Sequence, residues 1–96
     1  MADPEIQAVS LKLPTFWVQQ PRVWFSQAQA QFAVRNIVAD ETKFYYVVAA
    51  LDQDTAGRVL DLLENPPAAG KYLALKQRLL DTFSLSEFER AGHILH

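Results

Sequence analysis

Pro66-Pro67 stops any helix that reaches it, and Pro14 and Pro21 interrupt the chain near its other end. Proline lacks the amide that a helical ladder needs, and its ring clashes with the preceding turn. The chain is therefore divided into an extended opening, a stretch from residue 21 to residue 65, and a closing stretch after residue 67. Each piece is short enough that it must pack on the others to be stable.

The apolar pattern inside these pieces is helical. Leu11 to Trp17 is apolar but broken by Pro14, which predicts an extended arm ending in Phe16 and Trp17. Pro21 suits a first helical position, and Phe25, Ala28 and Phe32 follow at helical spacing, with Asn36 as the stop. Asp40 is the expected N-cap of a second helix, with Phe44, Val47, Val48 and Leu51 inward and Tyr45 and Tyr46 widening the apolar arc. Asp52 or Asp54 caps a third, whose inward positions are Ala56, Val59, Leu60 and Leu63. After Gly70 a fourth helix places Tyr72, Leu75, Leu79 and Phe83 on one face, leaving Leu73 and Leu80 off that stripe. Ser84-Leu85-Ser86-Glu87 reads as a capping box opening a fifth helix through Phe88, Ala91 and Leu95. The predicted fold is all-α, a compact bundle of about five short helices behind an extended aromatic arm. Residues 1–10 are a loose segment and residues 11–96 the domain.

Composition narrows the function. Half of the 96 residues are hydrophobic, and six Phe, three Tyr and two Trp are ample for one core. Nine basic against eleven acidic residues leave a net charge of −2. They are scattered, so no basic stripe exists to neutralise phosphates, and direct nucleic-acid binding is not expected. The absence of cysteine excludes disulfides, thiol nucleophiles and zinc knuckles. The opening Met1-Ala2-Asp3-Pro4-Glu5 is acidic and lacks the apolar region of a signal peptide, and no run is long and apolar enough to span a membrane. A cytoplasmic protein is expected.

Catalytic motifs fail on inspection. Asp54-Thr55-Ala56-Gly57 approaches the Asp-Thr-Gly of aspartic proteases, but Ala56 interrupts it and the segment opens a helix rather than a loop between strands. Glu89, His93 and His96 are spaced to share a helical face, yet no fourth ligand accompanies them, and they read as solvent-facing. Gly57, Gly70 and Gly92 are isolated and form no phosphate-cradling loop. No catalytic residue, cofactor or metal ligand is assigned. Phe25, Phe32, Phe44 and Phe83 read as core. Phe16, Trp17 and Trp24 have two readings: the arm seals the core with them, or leaves a groove for a partner.

Lys12-Leu13-Pro14-Thr15-Phe16-Trp17, then Pro21-Arg22-Val23-Trp24-Phe25 and Gln29-Ala30-Gln31-Phe32, resemble the opening of Gag proteins from Ty3/Gypsy-type LTR retrotransposons. The resemblance continues through Asp40, Thr42-Lys43-Phe44, Tyr46-Val47-Val48, Leu51, Asp61-Leu62-Leu63, Asn65-Pro66-Pro67, Tyr72 and Leu75-Lys76. Gln29 stands where relatives often carry an acid, and Leu73 where they often carry a polar residue. The resemblance implies an N-terminal capsid lobe that self-associates in virus-like particles, with a second helical lobe following. A domesticated Gag-derived host protein fits equally.

Three functions are therefore in competition. The first is a structural capsid lobe whose partner is itself, monomeric in isolation. The second is an adaptor binding a short apolar peptide between arm and helices, using Phe16, Trp17, Trp24 and Tyr45, with Leu73 as a further contact. The third is a helical DNA-binding domain, which the mixed charges of the fourth helix disfavour.

Overall fold

The computed structural model describes residues 11–95, with side chains as far as Phe83. Every regular element among the described residues is a helix: α1 (Pro21–Val34), α2 (Asp40–Ala50), α3 (Gln53–Arg58), α4 (Leu60–Glu64) and α5 (Lys71–Leu95). The all-α bundle behind an extended arm is thus observed, but its partition into helices differs from the expected one.

The arm is extended and docked. Leu11, Leu13 and Phe16 are buried while Lys12, Pro14 and Thr15 face solvent; the first four alternate as an extended segment does, and the phase shifts by one residue between Pro14 and Phe16. Two hydrogen bonds fix it. The Phe16 amide donates to the Ala50 carbonyl at 2.9 Å, and the Trp24 indole Nε1 donates to the Pro14 carbonyl at 3.0 Å. Residues 17–20 then turn, with the Gln20 amide donating to the Trp17 carbonyl at 3.1 Å, and deliver Pro21 to the first position of α1.

Helix α1 ends where Asn36 takes a left-handed backbone, φ 58°. The Asn36 amide donates to Ala33 and the Ile37 amide to Phe32, at 3.2 and 2.8 Å. This is the paired bonding of a Schellman stop, and Ile37 and Phe32 are both buried beside it. Asp52 caps α3 by accepting the Thr55 amide at 2.8 Å. Asp54 instead lies within that helix and pairs with Arg58 one turn on, at 3.4 Å.

Three sequence expectations need correction. The segment from residue 53 to 64 is not one helix, because Val59 leaves helical geometry at φ −120°, ψ 23°. Gly57 and the β-branched Val59 are poor helix formers, and the break leaves Val59 fully buried while Leu60 is 49% exposed rather than inward. Second, the fourth and fifth helices are one 25-residue helix, α5. No proline interrupts it, and Ser84 caps a helix only where the backbone has already left helical geometry. Third, Asp40 is the first residue of α2, not its cap; Ala39 holds that position without a side-chain bond. The Asp40 carboxylate crosses to α5, accepting the Lys71 and Tyr72 amides at 2.9 and 3.0 Å.

Helix α5 packs against both α1 and α2. Its Leu75 and Leu79 join Trp24, Phe25, Phe32, Phe44, Val47 and Val59 in the core, with Tyr72 and Phe83 partly buried at its edge.

Candidate functional site

The residues singled out from sequence do not form one surface. Phe16 is 4% and Trp24 1% exposed. The Phe16 ring meets Trp24 edge-on at 5.1 Å, with Phe25 at 5.9 Å and Phe83 at 5.7 Å. Edge-to-face packing of this kind adds to the burial energy of each ring. Phe16 and Trp24 therefore seal the core. Trp17 is 37% exposed and lines an open pocket of about 530 Å³ with Phe16, Val18, Gln19 and Gln20. Tyr45, 56% exposed, lies outside that lining and leans edge-on against Phe44 at 5.2 Å. Leu73, 59% exposed, lies on the outward side of α5.

The outward face of α1 is a surface that residue-by-residue reading passed over. Val23, Gln27, Ala30 and Val34 follow at spacings of four, three and four and are all exposed, so they share one stripe. Val34 is 78% exposed, and Val38 in the following loop 82%. Arg22 is the sole charged residue of α1. The signal of this face in the sequence is a helix almost without charge, a weaker pattern than the aromatic inward face of the same helix.

Two ion pairs lie elsewhere on the bundle, Arg58 with Asp54 and Arg78 with Asp61. Arg78 on α5 forks onto Asp61 on α4 with two bonds, 2.9 and 3.0 Å. Hydrogen bonding to Arg78 holds the Asp61 carboxyl below the usual range, and the same pair raises Arg78. The Thr55 amide and hydroxyl lower Asp52. Burial pushes the Tyr72 phenol up to about 12.

Asp54-Thr55-Ala56-Gly57 sits inside α3, with Thr55 buried and Asp54 exposed. Among the described residues no group of three or more His, Asp or Glu is placed to hold a metal ion. The side chains of Glu89, His93 and His96 lie outside the described residues. No helix among the described residues is long and apolar enough to cross a membrane.

Neither the curated proteins nor the solved structures contain a match to the chain. A family model does match, over residues 13–96, from the second buried leucine of the arm to the last residue. The chain belongs to the family described as a domain of unknown function (DUF7041).

Proposed function

We propose that this domain is a structural, non-enzymatic assembly module, the N-terminal capsid lobe of a Gag-like protein, acting in the cytoplasm with copies of itself as partner. The observation that carries the reading is the neutral outward stripe of α1. A solvated helix face is normally charged, whereas this one presents Val23, Gln27, Ala30 and Val34. Laid antiparallel against a second copy, Val23 falls opposite Val34 and Gln27 opposite Ala30, so the stripe complements itself, as a twofold contact requires. The arm supports the reading in a different way, since its docking leaves a rigid bundle from which such a face projects.

The contact is expected to be weak. A 14-residue helix is about 21 Å long, and one such face covers far less than the roughly 800 Å² per partner of a standard interface. Amide shifts followed over a dilution series should localise to Val23–Val34, with a Kd of roughly millimolar order. Val23→Glu combined with Val34→Glu should abolish the concentration dependence and leave the fold intact. Shifts that localise elsewhere, or a tight dimer, would overturn the proposal.

A second reading has its own observation, the open pocket beside Trp17. A short apolar peptide seated there would shift residues 17–20 on titration, and the domain would then act as an adaptor.

A further inference from the structure

Between α1 and α5 lies a second pocket of about 240 Å³, lined by Arg22, Phe25, Ser26, Gln29, Lys76 and Leu80. It is separate from both the α1 stripe and the Trp17 pocket. Its polar side chains share one property: each can donate a hydrogen bond. Gln29 sets this up. Its Oε1 accepts the Tyr72 hydroxyl at 3.0 Å and the Lys76 ammonium at 2.8 Å. Two donors on one oxygen fix which way the amide points, so its NH₂ is left for a ligand.

The charge at this pocket is not balanced from within. Lys76 rests on a neutral amide oxygen, which satisfies one of its protons but none of its charge. The Arg22 side chain makes no hydrogen bond or ion pair with any described residue, and among the described residues no carboxylate lines the pocket. The first turn of α1 contains no acid either, so the positive end of the helix dipole adds to the same field. Two other cations of the bundle are engaged away from it: Arg78 with Asp61 and Arg58 with Asp54.

We propose that this pocket binds a peptide carboxylate flanked by an apolar residue. Arg22 and Lys76 would take the carboxylate oxygens, and the Gln29 NH₂ and Ser26 hydroxyl a neighbouring carbonyl. Leu80 and the edge of Phe25 would meet the apolar side chain. Two cations suit one carboxylate. A nucleic-acid backbone requires a track of them, which no other described lining residue extends.

The test uses the 96-residue chain and two capped peptides, acetyl-Leu-Glu-Leu-amide and its Gln counterpart, followed by amide shifts. The Glu peptide should shift residues 22–29 and 76–80, and the Gln peptide should bind roughly tenfold more weakly. Gln29→Glu places a carboxylate inside the pocket, against Lys76, and should abolish binding; Arg22→Gln should weaken it roughly tenfold. Both positions are exposed, so the variants should fold, and unchanged thermal unfolding would verify this. Equal binding of the two peptides, undiminished binding by Gln29→Glu, or saturation by inorganic phosphate with no response to the Glu peptide would each overturn the proposal. None of these outcomes bears on self-association through the α1 stripe, which Arg22→Gln and Gln29→Glu leave intact.

Discussion

The Asp40 carboxylate takes both of the amides that open α5, residues 31 and 32 positions away in the chain. A helix leaves its first amides without partners, and a carboxylate at that end is favoured both by hydrogen bonding and by the dipole. Gly70, at φ 71°, makes the turn that presents them. Because Asp40 is itself in α2, the cap is also a tie between α2 and the longest helix. Asp40→Ala should cost about 1–2 kcal/mol. For a domain this size that is a fall in Tm of about 4–8 °C per kcal/mol. Asp40→Asn keeps one acceptor and should lose less. An Ala variant as stable as the parent would show that water caps α5 equally well. Nothing local marks this role. From sequence, Asp40 before an apolar stretch looks like an ordinary N-cap of its own helix, and only the packing of α2 against α5 reveals where the side chain goes.

Among the elements, the arm was legible and the helix ends were less so. Pro14 within the apolar stretch from Leu11 to Trp17 marked an extended segment, and the structure buries Leu11, Leu13 and Phe16 from it. What the pattern could not decide was which of the adjacent Phe16 and Trp17 turns inward, since both are large and apolar; the hydrogen bond from Phe16 to Ala50 settles the register. Phe16→Ala should therefore cost about 3–5 kcal/mol, and Trp17→Ala about 1 kcal/mol or less. Loosening the arm also releases the Trp24 indole from Pro14, so indole emission should move to the red in the Phe16 variant. If Trp17→Ala proved the costlier change, the arm would be docked in another register. The inward faces of α1, α2 and α5 were read correctly because helical spacing reports burial directly. The break at Val59 and the continuity of α5 through Ser84 were not. A capping box and an exposed helical turn share the same residues, and tertiary packing chooses between them.

For the whole molecule, the paired charges set a window of stability. Asp52 and Asp61 have carboxyls lowered from an ordinary value of 3.8, so between the folded and unfolded values the unfolded chain binds more protons. Their contribution is present above about pH 4 and is lost as the pH falls through the folded values. Tyr72 acts at the other end: its phenol is raised from 10.0 to about 12, so the folded chain retains a proton that the unfolded chain releases. That contribution is present below pH 10 and is lost as the pH rises towards 12. Tm should be flat across the neutral range and fall on both sides. The acid limb belongs in part to the Asp61–Arg78 fork between α4 and α5. Asp61→Asn should lower Tm at neutral pH and make the acid limb shallower, while Tyr72→Phe should flatten the alkaline limb alone. An acid limb of unchanged slope in Asp61→Asn would mean that the fork, though well formed, is too exposed to couple proton binding to the fold.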